Sequence, residues 1–154
     1  MVAYRKATPE DISKILSKMK SGSFGLELLQ LDPAQARNMD DEDRASFIDS
    51  EYGPSLRDAV EDERLLVSED GGDVTGYSLS YSRGEGRWVI TALDVDKGAQ
   101  GEGVGSALAE KTVDHLRNRG GKMVEVSPER GVGGFWEKMG FRPVKEGKRL
   151  ERRL

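Results

Sequence analysis

The chain predicts an α/β fold: a mixed, mostly antiparallel twisted sheet of six to seven strands flanked by about four helices, in the order β-α-α-β-β-β-α-β-α-β with room for one further strand. Three observations point there. Residues 64–95 carry strand periodicity broken by two glycine turns, DGGD and GEG, so three strands run antiparallel through short hairpins. The longest amphipathic stretch follows, with Leu108, Ala109, Thr112, Val113 and Leu116 on one face and a stop signal at Gly120 and Gly121. After it comes KMVEVSP, a strand entered by a helical crossover and therefore parallel to the strand before that helix.

The remaining elements are read in chain order. Val2, Tyr4 and Lys6 alternate as a first strand. Thr8 is placed as N-cap of a helix with Pro9 at its first position and Asp11 in its first turn; Ile12, Ile15, Leu16 and Met19 share a face, and the helix runs to about Lys20. SGSFGLELLQLDP reads as loop or broken helix, and Asp41 to Ser50 as a second, strongly acidic helix. The strand Arg87 to Val95 is richest in β-formers and takes a central place. GVGGFWEKMG is a short helix closed by Gly140, and FRPVKEG with KRLERRL supplies one or two final strands. Without a linker, repeat or low-complexity tract, residues 1–154 read as a single domain.

Composition narrows the chemistry. There are no cysteines, which removes disulfides, thiolate metal sites and a cysteine nucleophile. One histidine, His115, rules out a multi-histidine metal site, and its place in mid-helix reads as surface. The charged N-terminus lacks the apolar run of a signal peptide, and no window reaches a membrane span, so a soluble, cytoplasmic protein with no membrane partner is expected. A net charge of −4 offers no general attraction to nucleic acid. Asp40 to Glu63 holds ten acidic against two basic residues, which suits a cationic acceptor such as a polyamine or basic peptide, or else forms a solvated helix face.

Between the strand ending at Val95 and the helix starting near Val104 lies KGAQGEGVG. Amides at a helix N-terminus lack intrahelical partners and sit at the positive end of the helix dipole, so they suit a phosphate. Glycines at 101, 103 and 105 clear side chains from that approach.

The run LDVDKGAQGEGVG, residues 93–105, resembles the acetyl-CoA signature of the GNAT superfamily of N-acetyltransferases, a strand ending in Val followed after five residues by (Gln/Arg)xxGx(Gly/Ala); Val95, Gln100, Gly103 and Gly105 match it. YRKATPEDISKI is similar to that family's first strand and helix, and FWEKMGF to its last helix, usually FYEKxGF. The resemblance implies the GNAT (acyl-CoA N-acyltransferase) fold. It also implies acetyl-CoA as cosubstrate, no metal, transfer of the acetyl group to a small-molecule or peptide amine, and in many members a homodimer.

By the same resemblance, the cofactor lies against Leu93, Asp94, Val95, Gln100, Gly101, Glu102, Gly103, Val104, Gly105, Ser106 and Trp136. Its pantetheine arm enters a gap between the strand ending at Val95 and that of Val124 to Ser127, where an amide near Val95 meets the thioester carbonyl. The family's frequent tyrosine acid is replaced by Trp136, whose indole is no practical acid. Ser127, Tyr77 and Tyr81 are the substitutes in view, and Asp94 and Glu125 are the carboxylates nearest the gap in sequence. The asparagine that the family often carries before its last helix is absent from SPERGVGG. Two rivals stay open. One is an acyl-CoA-binding sensor without turnover. The other is a dinucleotide-binding oxidoreductase, since GEGVGS approximates GxGxxG.

Overall fold

The structure, a computed structural model, describes residues 1–25, 38–127, 133–144 and 149–154. Strands β1 (Val2–Lys6), β2 (Leu65–Asp70), β3 (Asp73–Gly84), β4 (Arg87–Val95), β5 (Met123–Val126), β6 (Arg142–Pro143) and β7 (Leu150–Arg153) form one sheet in the order β1-β2-β3-β4-β5-β7-β6. Only β4 and β5 run parallel; the other five pairings are antiparallel. A doubly wound dinucleotide-binding sheet, parallel throughout, is thereby excluded. The hairpin turns fall where the glycines place them: Gly71 and Gly72, then Glu85 and Gly86, have positive φ at both central positions, matching the right-handed strand twist.

The helices are α1 (Pro9–Ser21), α2 (Asp41–Glu61), α3 (Val104–Asn118) and α4 (Gly133–Lys138). At the start of α1 the Thr8 amide donates to Asp11 Oδ2 at 2.7 Å, and the chain leaves the helix through left-handed Gly22. Helix α2 corrects the sequence reading, which stopped it at Ser50. It continues through Gly53 and Pro54 because Ile48, Tyr52, Leu56 and Ala59, spaced by three and four, are all buried, and that packing outweighs the hydrogen bond lost at proline. The two final strands are real but out of order, since β7 inserts between β5 and β6. Parts of SGSFGLELLQLDP, SPERGVGG and FRPVKEG lie outside the described residues.

Each face of the sheet carries its own core. On one face Ile12, Ile15 and Met19 of α1 and the buried face of α2 pack on Leu65, Val67, Tyr77, Leu79 and Ala92. On the other, Ala109, Val113 and Leu116 of α3 and Trp136 of α4 pack on Trp88, Ile90, Val124, Val126 and Leu150. The two faces meet in β4, where Leu79 pairs with Ala92 but Ser80 with Ile90, leaving Thr91 as the extra residue of a β-bulge. Before the bulge, Trp88 and Ile90 face α3; after it, Leu93 takes that side and Ala92 turns to α1 and α2.

Buried Asp11 closes the β1 end of the first core. Burial alone raises its pKa, but two hydrogen bonds from Arg5, at 2.7 and 3.0 Å, and the Thr8 amide outweigh that and hold it below the usual carboxylate range. A depressed folded pKa gives stability that is complete above the unfolded value of about 3.9 and is lost as pH falls through the folded one. Asp11→Asn is therefore expected to cost about 1–3 kcal/mol at neutral pH. In urea titrations from pH 7 to pH 2, the difference from wild type should stay constant down to about pH 4 and then shrink.

Candidate active site

The β4/β5 ladder ends at the pair Ile90 and Val126, one residue before the bulge, while β4 runs on to Val95 with no strand partner on that side among the described residues. The strands part there. Into the fork opens a cleft of about 590 Å³ whose walls include Leu93, Val95, Val126, Phe135 and Trp136 and whose end is the turn at Gly101, Gly103 and Ser106.

Local bonds shape the rim of this cleft. Asp96 donates its amide to Thr75 O at 2.8 Å and its side chain accepts from the Gly98 amide, starting the 3-10 turn Lys97–Ala99. Lys18 of α1 pairs with Asp96 and Asp73; its hydrogen bond draws the Asp96 carboxyl below its ordinary range. Gln100 Nε2 donates to Val95 O at 3.1 Å, tying the turn back to the end of β4. Gly101 and Gly103 have φ of +85° and +81°, which an L side chain resists, and a Cβ at either would meet nothing within 4 Å. Backbone conformation, rather than crowding, requires glycine at both. Gly105 differs: a Cβ there would lie 3.5 Å from Val95 Cγ2 and 3.8 Å from the Phe135 ring, in the width of the cleft. Gly103 is the N-cap of α3, so the first amides of that helix face the turn without intrahelical acceptors.

The residues expected to hold a cofactor are thus brought together: Leu93, Asp94, Val95, Gln100, Gly101, Gly103, Val104, Gly105, Ser106 and Trp136 all line the cleft. Glu102 does not; its side chain is exposed outside the lining. The sequence reading missed Phe135, which stands edge-on to Trp136 at 5.1 Å and forms one wall. Its adjacency to Trp136 in FWEK was the available signal. Trp136 also meets Phe141 edge-on, so the position that carries tyrosine in the resembling pattern is here an apolar wall.

The catalytic candidates separate. Asp94 lines the cleft, with Oδ2 accepting from the Gly25 amide at 2.6 Å and Oδ1 from the Val95 amide at 2.9 Å. Ser127 is exposed at the mouth, at the end of β5. Glu125 is corrected as a base candidate. It faces away from α3, lies outside the lining and accepts hydrogen bonds from Arg83 and Arg149. Tyr77 is buried in the first core against Phe24 and is likewise removed from the cleft. His115 holds Glu63 O at 2.7 Å and joins α3 to the start of β2. None of the acids from Asp40 to Glu63 lines the cleft; several pair with nearby bases, Asp49 with Lys20 and Asp62 with Arg64 and Arg119.

Strand spacing phases the β4 amides. Because the Asp96 amide points to β3, those of Leu93 and Val95 point to the fork. Asp94 occupies the second, which leaves the Leu93 amide as the donor presented there.

The frame of the cleft is a fork in a mixed sheet beside a glycine turn that opens a helix. The acetyltransferase (GNAT) family model matches residues 26–141, and the chain belongs to that family. In overall fold it is similar to PaiA N-acetyltransferase from Thermoplasma acidophilum in complex with coenzyme A, with TM-score 0.74 and 14% identity over 100% of this chain and 99% of that one. It is similar too to a ribosomal-protein-alanine N-acetyltransferase from Brucella melitensis, with TM-score 0.69 and 18% identity over 99% of both chains. A third likeness is a GNAT family acetyltransferase from Brucella melitensis in complex with acetyl-CoA, with TM-score 0.66 and 18% identity over 100% and 88%. Comparison with curated protein sequences gives no match.

If Gln100 anchors the turn, Gln100→Ala loses one hydrogen bond of about 0.5–1.5 kcal/mol. Hydrogen exchange should then quicken roughly twofold to tenfold at the amides of residues 101–106, with the β3 amides unchanged.

Proposed function

We propose that the chain is an acetyl-CoA-dependent N-acetyltransferase of one domain, residues 1–154, which passes the acetyl group to a primary amine by direct attack in a ternary complex. The parting of β4 from β5 beside the α3 N-terminus carries this reading. It offers, within one cleft, the two features that coenzyme A needs: an unpaired strand edge for an amide-bearing arm and unpartnered amides for a diphosphate. The complexes of the similar PaiA and Brucella proteins with coenzyme A and acetyl-CoA support the same ligand.

When bound, acetyl-CoA supplies an acyl carbon already activated as a thioester. The residues of this chain do the rest. The amides of residues 101–106 hold the diphosphate, helped by the positive end of α3. The free edge of β4 at Leu93 to Val95 holds the arm, and the Leu93 amide is the donor aimed at growing negative charge on the carbonyl oxygen. Phe135 and Trp136 keep water from that wall.

An amine with a pKa of about 10.4 arrives protonated and must lose its proton before attack. Asp94 is the carboxylate at the fork, fixed by the Gly25 and Val95 amides, and it receives that proton through water. After attack the nitrogen's second proton passes through water to the departing sulfur, to which the Ser127 hydroxyl at the mouth donates a hydrogen bond, so that coenzyme A leaves as the thiol.

The reading is tested by titrating the protein with coenzyme A and following thiol release from acetyl-CoA over a panel of amines. Gly103→Asp puts a side chain and a charge beside the diphosphate, on a backbone that resists any Cβ; affinity should fall by more than about 100-fold, roughly 2.7 kcal/mol. Unchanged affinity would refute the site. Asp94→Asn should keep the affinity for coenzyme A and lower kcat about 100-fold, the lower range for a general base. Full affinity with no thiol release for any amine would turn the assignment to a sensor without turnover, the role that an apolar Trp136 leaves room for.

A further inference from the structure

Glu125 is only 5% exposed, on the face of β5 opposite Val124 and Val126. Three arginines from separate strands or their ends converge on it. Arg83 Nη1 lies 3.0 Å and Arg149 Nη1 3.4 Å from Oε2, and Arg87 Nη1 lies 3.9 Å from Oε1. One carboxylate does not use up three cations. Arg83 and Arg149 each donate one hydrogen bond to Glu125 and Arg87 stands further off, and the side chains of Arg83, Arg149 and Arg87 are 44%, 44% and 58% exposed. Pairing of Glu125 with Glu151 across β5 and β7 puts a second acid on this face, and positive charge is still in excess.

The position of this excess charge matters. Glu125 pairs with Val89, one step before the last β4/β5 pair, and Ser127 at the cleft mouth is two residues further along. At about 3.3 Å per residue Glu125, about which the arginines gather, stands roughly 7 Å along the strand from Ser127. They lie on the sheet face away from α3, so an acceptor resting there reaches the fork from the side opposite the cofactor wall of α3 and α4. The row between is apolar at its edge, with Val89 half-buried and Tyr81, its partner on β3, 38% exposed. Tyr81 is one of two large apolar side chains exposed among the described residues, the other being Met1.

Resting on the acetyl-transfer reading, we propose that the acceptor is a small amine bearing an acidic group, a carboxylate or a phosphate, held by Arg83, Arg87 and Arg149 around Glu125 with its carbon skeleton on Tyr81 and Val89. Guanidinium planes suit both anions by paired N–H donation. This reverses the cationic acceptor suggested by the acidic run at Asp40 to Glu63, whose carboxylates are away from the cleft.

The test measures thiol release from acetyl-CoA with matched amines: glutamate against glutamine amide, O-phosphoethanolamine against ethanolamine, and spermidine as the cationic case. The expected result is kcat/KM at least tenfold higher for the acidic member of one pair, and which pair responds tells carboxylate from phosphate. Arg87 is the variant of choice because it makes no hydrogen bond to Glu125, so Arg87→Gln leaves the buried carboxylate's partners in place. It should raise KM for the acidic amine threefold to tenfold, leave kcat and the KM for acetyl-CoA within twofold, and shrink the preference over the neutral partner. Equal or better turnover of neutral or cationic amines would overturn the acidic-acceptor assignment and leave acetyl transfer standing, as would an Arg87→Gln enzyme with unaltered KM. Coenzyme A bound with no amine accepted would overturn both.

Discussion

Everything in the candidate site depends on the separation of two strands that begin as a parallel pair. β4 and β5 share four residue pairs and then diverge, and the extra residue Thr91 sits at that point. A bulge increases local twist and turns the strand, and here it also exchanges the faces that the β4 side chains occupy. Ala92 and Asp94 go to one side and Leu93 and Val95 to the other, so a single strand supplies the floor of the cleft and a carboxylate beside it. The pair is buried elsewhere by α3 and Trp136, which lets the sheet survive a ladder left open, among the described residues, over five positions, Thr91 to Val95.

Around that opening, short polar ties do what hydrogen bonds between strands would otherwise do. Asp94 holds Gly25, Lys18 holds Asp96, and Gln100 holds the carbonyl of Val95. Each joins the end of β4 to a neighbouring segment, two to the end of α1 and the chain beyond it and one to the glycine turn. These ties fix the backbone at the end of β4 and at the glycine turn, as the proposed diphosphate site requires. Charge is divided by face: helix amides and their dipole on the side of α3, and three arginines about a buried glutamate on the other.

Much of the fold was legible because local signals agreed with tertiary ones. Thr8, Pro9 and Asp11 mark the start of α1, and two glycine turns mark the hairpins. Where they disagreed, packing won: Gly53 and Pro54 signal a stop, yet α2 continues because its apolar face is needed in the first core. The place of β7 between β5 and β6 is a long-range pairing that no local pattern encodes. The glycine turn before α3 was legible in its place, although the physical need differs among its glycines, left-handed backbone at 101 and 103 and cleft width at 105.

By itself, then, the amino-acid order determined the elements, their sequence along the chain and the helix N-terminus behind Gly103, since capping, turn chemistry and apolar period act over a few residues. Only tertiary structure decided which carboxylate belongs to the fork. Asp94 and Glu125 look alike in sequence; a bulge sets one beside the cleft, and the alternation of a strand sets the other beneath three arginines. Side-chain direction in a sheet depends on register, and register is settled by partners distant in the chain.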